Sequence, residues 1–154
     1  MTRSFMPVLM VAAGLAGIAV SLPAAAQFAK AEDAIRYRRA GMTMMNTHFG
    51  RVAAMANGRV PFDAKAVADN AEVATIMSKL PYAAFVEGSD KGETRAEPKI
   101  WTEMDKFRAA ASKLQDEMAK LNVVAKTGNV DAIKAAVGET GKACKACHDV
   151  YRKE

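Results

Sequence analysis

The sequence predicts an all-α domain, built as an antiparallel up-down bundle of four helices. Apolar residues make up 51% of the 154 residues but aromatic residues only 6%, a balance that suits helices better than strands. Beyond Gln27 the apolar residues recur at alternating steps of three and four, the spacing of a helix that buries one stripe. The length suits one domain with a hydrophobic core and is too short for two domains of ordinary size.

The first predicted helix carries an apolar stripe that ends at Asn57 and Gly58, a common helix stop. The stripe consists of Ile35, Arg38, Met42, Met45, Phe49, Val52 and Ala56. Arg38 is its one charged member. Because a buried charge requires a partner, this guanidinium either binds an anionic group such as a carboxylate or extends to solvent.

The second predicted helix begins after its N-cap, Asp63, and runs to Leu80, where Pro81 stops it. From there to Pro98 the sequence shows no periodicity and contains two glycines and several charges. This stretch predicts a surface loop of unusual length for a helical bundle.

The third and fourth predicted helices have regular stripes with steps of four and three. The third stripe consists of Ile100, Met104, Phe107, Ala111, Leu114, Met118, Leu121 and Ala125, and the fourth of Val130, Ile133, Val137, Thr140, Cys144, Cys147 and Tyr151. Gly128 separates the two helices, and Asn129 is the expected N-cap of the fourth. Amphipathic helices with short links favour a bundle whose interior can hold a cofactor.

Residues 1–26 predict a secretory signal peptide. Arg3 supplies the positive start, residues 6–20 form an apolar run without a charge, and three alanines precede Gln27. A membrane anchor is the competing interpretation, but the run is short for a membrane span. We therefore expect a mature domain, residues 27–154, in the periplasm and without membrane attachment.

The charge pattern argues against a nucleic-acid or membrane surface. The formal net charge is +5, and loss of the signal peptide removes one arginine and leaves +4. Lysines and arginines alternate with acidic residues instead of forming a block, which is typical of a solvated mixed surface.

Cys144, Cys147 and His148 form the sequence pattern of c-type haem attachment. On a helix, positions i, i+3 and i+4 share one face. Two thiols can therefore meet the two vinyl groups of one porphyrin while the imidazole reaches its iron. The motif predicts one covalently bound haem c.

Other interpretations of the two cysteines are weaker. Structural zinc requires four ligands, and the chain has just four candidates, two cysteines and two histidines, of which His48 lies on the first predicted helix with no cysteine beside it. A redox dithiol is expected at the start of a helix after a strand, and this motif lies near the end of the last predicted helix. A disulfide, common in exported proteins, fits poorly with two cysteines directly before a histidine. Chance occurrence is the remaining alternative.

Further segments extend the haem motif into a longer pattern. The C-terminal stretch from Gly141 to Arg152 contains the motif. The first predicted helix contributes residues 32–38, Met42 and residues 47–51, and the third begins with residues 99–101. In this order and spacing the sequence resembles the cytochrome c′ family, the four-helix-bundle class of c-type cytochromes. The resemblance spans essentially the whole mature chain.

The resemblance implies a haem between the first and fourth helices, with His148 as the sole protein ligand of the iron and Met42 on the open side. Further haem contacts are implied at Arg38, Arg39, Glu93, Thr94 and Arg152. Of these, Arg38 and Arg39 match positions at the haem edge and propionates, and Arg152 matches a position beside the proximal face. A surface salt bridge is the alternative role of Arg152.

The resemblance also implies a function: the haem binds small diatomic gases, nitric oxide foremost and also carbon monoxide, and it transfers electrons. No catalytic residue is implied, and the protein is not expected to be an enzyme. One alternative is an electron carrier of the same class in which Met42 is the sixth ligand of a low-spin iron. The other is a haem enzyme with low nitric oxide reductase activity. A homodimer is compatible with the resemblance, and the redox partner protein stays unidentified.

Overall fold

The computed structural model describes residues 27–154, and the regular elements in this range are helices without a β-strand. The elements are α1 (Ala31–Ala56), α2 (Ala64–Met77), a 3-10 helix (Pro81–Ala84), α3 (Lys99–Thr102), α4 (Met104–Ala125) and α5 (Val130–Tyr151). The four long helices form the predicted bundle, in which α1 and α4 each pack on both α2 and α5. No helix among the described residues is long and apolar enough to cross a bilayer. The predicted signal peptide lies outside the described residues.

Both predicted N-caps are confirmed. The Asp63 carboxylate accepts a hydrogen bond from the backbone N–H of Ala66 (3.0 Å) at the start of α2. The Asn129 side chain accepts one from the N–H of Ala132 (3.0 Å) at the start of α5. Each bond satisfies a backbone donor that lacks a partner within its own helix.

Apolar side chains make a solid core at one end of the bundle. Val52, Val67, Leu121 and Ile133 are each no more than 1% exposed, and each comes from a different long helix. Val52, Leu121 and Ile133 belong to the stripes predicted above, and Val67 lies on the second predicted helix. These side chains therefore fill the interior at this end of the bundle.

Two helix boundaries differ from the prediction. α2 ends at Met77, three residues before Leu80. The third predicted helix is broken at Glu103, whose φ of −123° and ψ of 36° separate α3 from α4. The short helix α3 is held by a non-local bond, because the Trp101 indole N–H donates to the Val86 carbonyl at 2.9 Å.

The segment from Pro81 to Pro98 was predicted as a surface loop, and this prediction is wrong for several of its residues. Pro81, Ala84, Ser89 and Ala96 are buried. The segment packs closely on α1: a Cβ atom on Gly41 would lie only 2.9 Å from Pro81 Cγ. The burial of such residues cannot be predicted from hydrophobic periodicity, because they do not belong to a regular helix or strand.

The same segment also joins the C-terminal end of the chain. Ala96 pairs with Arg152 in an isolated antiparallel bridge. The Lys153 N–H donates to the Arg95 carbonyl (2.8 Å), and the Glu97 N–H donates to the Tyr151 carbonyl (3.0 Å). The segment therefore connects α1 to the end of α5, the two helices that border the site.

Candidate functional site

A cavity of about 1140 Å³ opens between α1 and α5. Its lining includes Met42, Met45 and Phe49 from α1, Leu114 and Met118 from α4, and Cys144, Cys147 and His148 from α5. Pockets for drug-sized ligands measure roughly 300–1,000 Å³, so this cavity is large enough for a flat group the size of a porphyrin. Its position matches the predicted site between the first and fourth helices.

The α5 wall carries the three residues of the haem motif. Cys144 and Cys147 are half-buried free thiols, and His148 lines the same cavity. Burial raises the pKa of both thiols, and the neighbouring Cys144 raises that of Cys147 further. Protonated thiols facing one cavity beside an imidazole form the donor set that haem attachment requires.

The surroundings of His148 favour its neutral form. Burial lowers the pKa of the imidazole, and the positive charge of Arg152 lowers it further. The Arg152 guanidinium lies 3.4 Å from the imidazole Nδ1 atom. Because a metal binds the neutral imidazole, a lowered pKa keeps this side chain ready to coordinate at neutral pH. Arg152 forms no salt bridge among residues 27–154, and its role beside the proximal face of a haem stays a prediction.

Arg38 is buried, with 3% of its surface exposed, so the alternative of a side chain extended to solvent is wrong. Its Nη1 atom donates to the Ala84 carbonyl (3.0 Å) and the Ser89 hydroxyl (2.8 Å). Its Nη2 atom donates to the Ser89 carbonyl (2.6 Å) and the Thr94 hydroxyl (2.8 Å). The guanidinium also lies 4.6 Å from the centre of the Phe85 ring.

All four acceptors of Arg38 are neutral groups of the segment after α2. Burial lowers the pKa of Arg38 to about 10, and the more distant Asp90 opposes this change. The guanidinium is therefore still charged at pH 7, and among residues 27–154 it forms no salt bridge. A buried cation without a carboxylate partner, lining a cavity, favours an anionic ligand there.

Three further predicted contact residues meet at the mouth of the cavity. Arg39, Glu93 and Thr94 all line it. The exposed Arg39 donates from Nη1 to the Glu93 carbonyl at 3.0 Å. The Thr94 hydroxyl, besides its bond from Arg38, accepts one from the backbone N–H of Ala96 at 3.1 Å.

Sequence reasoning missed several residues of the site. Tyr82, Phe85 and Arg95 all line the cavity, and all three lie between the second and third predicted helices. This stretch has no periodic pattern that would assign its residues to a face. Its two aromatic residues, in a chain with only 6% aromatic residues, were the available signal.

The comparisons with known proteins agree with this geometry. A family model described as Cytochrome C′ matches residues 33–152. The cytochrome c′ of Rubrivivax gelatinosus is 50% identical over 129 residues, which cover 83% of this chain and 100% of the relative. The cytochrome c′ of Alcaligenes xylosoxydans xylosoxydans is 43% identical over 128 residues, covering 83% and 99%.

Two solved structures are similar as well. The crystal structure of cytochrome c′ from Rubrivivax gelatinosus superposes with a TM-score of 0.79 at 51% identity, covering 82% of this chain and 100% of that one. A nitric oxide complex of a mutant of cytochrome c prime from Alcaligenes xylosoxidans superposes with a TM-score of 0.77 at 42% identity, covering 82% and 98%.

Proposed function

This chain belongs to the cytochrome c′ family, and from that premise we propose that it is a periplasmic cytochrome whose His148-ligated haem binds nitric oxide. Proteins of this family carry a covalently attached haem c and are typically periplasmic c-type cytochromes. The observation that carries the proposal is the cavity between α1 and α5, with the haem motif on the α5 wall and the apolar side chains of Met42, Met45 and Phe49 on the α1 wall.

The α5 wall holds the cofactor in this proposal. The sulfur atoms of Cys144 and Cys147 would hold the haem through two thioether bonds, and the neutral imidazole of His148 would bind its iron. Arg38 and Arg39, together with Glu93 and Thr94, would contact the propionates. When bound, the haem supplies an iron that changes valence and accepts a diatomic ligand.

In this proposal the residues of the α1 wall determine which small ligands reach the side of the haem opposite His148. Met42, Met45 and Phe49 line it with apolar groups. The α1 residues that line the cavity, all within the described part of the chain, include no His, Asp or Glu. A group that would transfer a proton to a bound ligand is therefore missing from this wall, which favours binding over turnover. The nitric oxide complexes of cytochrome c prime from Alcaligenes xylosoxidans support nitric oxide as the ligand.

A second candidate function is electron transfer through a six-coordinate iron. Met42 lines the cavity from α1, and His148 lines it from α5. A methionine facing a histidine is the ligand pair of electron-transfer cytochromes. The same side chain thus serves either as an apolar cover that leaves the iron five-coordinate or as the sixth ligand.

The absorption spectrum of the purified ferrous protein separates these two functions. Five-coordinate iron has a high-spin spectrum and binds nitric oxide, and Met42→Ala should accelerate the slow binding of carbon monoxide. The matched control is Met44→Ala, since Met44 lies on α1 with 47% of its surface exposed. A low-spin spectrum that becomes high-spin in Met42→Ala would instead establish the electron carrier.

A further inference from the structure

The haem cavity carries most of the excess positive charge of the protein. Its lining includes five cationic side chains and two carboxylates, namely Arg38, Arg39, Arg95, Lys145 and Arg152 against Glu93 and Asp149. The chain without its signal peptide has a net charge of +4, so three of these four units lie at the cavity. The fold thus concentrates in one place a charge that the sequence spreads along the chain.

Three exposed arginines, Arg39, Arg95 and Arg152, form what we call the arginine rim of the cavity. Each is held by a neutral group: Arg39 donates to the Glu93 carbonyl (3.0 Å), Arg95 donates from Nε to the Lys153 carbonyl (3.1 Å), and Arg152 lies 3.4 Å from the His148 imidazole. Within residues 27–154 none of the three forms a salt bridge. Each guanidinium therefore keeps N–H donors for an anion from outside the chain.

Two members of the rim are held close to each other by the backbone. Ala96 pairs with Arg152 in the antiparallel bridge, and the Lys153 N–H donates to the Arg95 carbonyl. Like charges at such neighbouring positions oppose folding. In the proposed function the haem propionates take Arg38 and Arg39, which leaves Arg95 and Arg152 without an anionic partner.

The make-up of the rim favours the carboxylates of a protein over other anions. Guanidinium groups bind carboxylates in a bidentate manner, and arginine is enriched at protein interfaces. The rim residues come from α1, from the segment after α2 and from the end of α5, whereas nucleic-acid surfaces carry a continuous basic stripe. None of the exposed large apolar side chains among residues 27–154 lines the cavity, so the rim offers no group that would insert into a membrane.

We propose that the arginine rim is the docking surface for the acidic face of a redox partner protein that exchanges one electron with the haem. This inference rests on the proposed function, because an iron that changes valence must receive its electron from another molecule. The opposite charges steer the encounter and orient the partner toward the cavity.

The first test compares Arg95→Glu with the control Arg108→Glu, which makes the same change in net charge. Arg108 is exposed on α4, is absent from the cavity lining and forms no salt bridge among the described residues. The probes are hexacyanoferrate(III), an anion, and tris(phenanthroline)cobalt(III), a cation, each of which takes one electron from the ferrous holo-protein and leaves it ferric.

At an ionic strength of about 10 mM, Arg95→Glu should slow oxidation by the anion on the order of tenfold and accelerate oxidation by the cation. Arg108→Glu should change either rate by about twofold or less, since its charge is further from the haem. A change in the reduction potential of the haem would instead shift both rates in the same direction.

The second test measures binding without electron transfer. Fluorescently labelled poly(L-glutamate) is titrated with the ferric holo-protein and followed by anisotropy. Arg95→Glu should weaken binding by about 3- to 10-fold, and Arg108→Glu should match the wild type. Arg95→Lys keeps the charge without the Nε bond to Lys153 and should also bind like the wild type; binding as weak as that of Arg95→Glu would assign the effect to the lost hydrogen bond and overturn the proposal.

The outcomes separate this inference from the function on which it rests. Holo-protein that binds nitric oxide but responds equally to Arg95→Glu and Arg108→Glu refutes the docking surface alone. A wild type that binds no nitric oxide refutes the proposed function, and the peptide titration still decides the role of the rim. Wild-type protein that sediments with phosphatidylglycerol vesicles, when Arg95→Glu does not, would assign the rim to a membrane and overturn the proposal.

Discussion

Replacing Arg38 by Ala should destabilise the holo-protein by about 3 kcal/mol. Of the four acceptors, the Thr94 hydroxyl keeps the Ala96 N–H and the Ala84 carbonyl keeps a 3.5 Å contact with the Ser89 hydroxyl. The Ser89 carbonyl, by contrast, loses its bond of 2.6 Å. An unsatisfied buried carbonyl costs about 1–3 kcal/mol, and the space left by the side chain adds to this cost.

The assay is urea unfolding of the holo-protein, read as a shift of the midpoint at constant slope. Arg51→Ala is the matched control, because Arg51 is exposed on the same helix and surface substitutions change stability by about 0.5 kcal/mol or less. Equal, small losses in both variants would refute the role of Arg38 in the buried network.

A double-mutant cycle then assigns the energy to the segment that Arg38 holds. Thr94→Val removes one acceptor of the guanidinium, which lies 2.8 Å away. If Arg38 acts through this segment, the loss in the double variant should be smaller than the two single losses added together. Additive losses would place the stabilisation elsewhere, with the propionates as the next partner to test.

Three other outcomes are expected. Acid-acetone extraction should leave the haem on the wild-type polypeptide, and combined Cys144→Ala and Cys147→Ala should abolish this covalent retention; haem that is extracted from the wild type contradicts the thioether bonds. Gly41→Ala should lower the free energy of unfolding by about 1–3 kcal/mol, because the added Cβ would lie 2.9 Å from Pro81 of the 3-10 helix. Gly50→Ala, with no atom within 4 Å of its Cβ, should instead stabilise α1 by about 0.5–1 kcal/mol. Similar unfolding free energies for the two variants would argue against the close packing at Gly41. N-terminal sequencing of the exported protein should begin near Gln27, and retention of the first residues in the membrane fraction would show an anchor instead.

The sequence by itself determined the helices and their inward faces. Backbone hydrogen bonds of a helix join residues four apart, and caps such as Asp63 and Asn129 act on N–H groups three residues on. The periodicity of the apolar residues reports which side of such a helix is buried. The haem motif was predictable for the same reason, since Cys144, Cys147 and His148 lie within five residues of a single helix.

Tertiary structure alone decided how the segment after α2 completes the site. The acceptors of Arg38 lie 46 to 56 residues further along the chain. Tyr82, which lines the cavity, lies on the 3-10 helix whose Pro81 packs against Gly41 of α1. The helix break at Glu103 lies beside another non-local contact, the hydrogen bond from the Trp101 indole to the Val86 carbonyl, 15 positions away. Such contacts leave no period in the sequence, because they depend on which distant residues the bundle brings together.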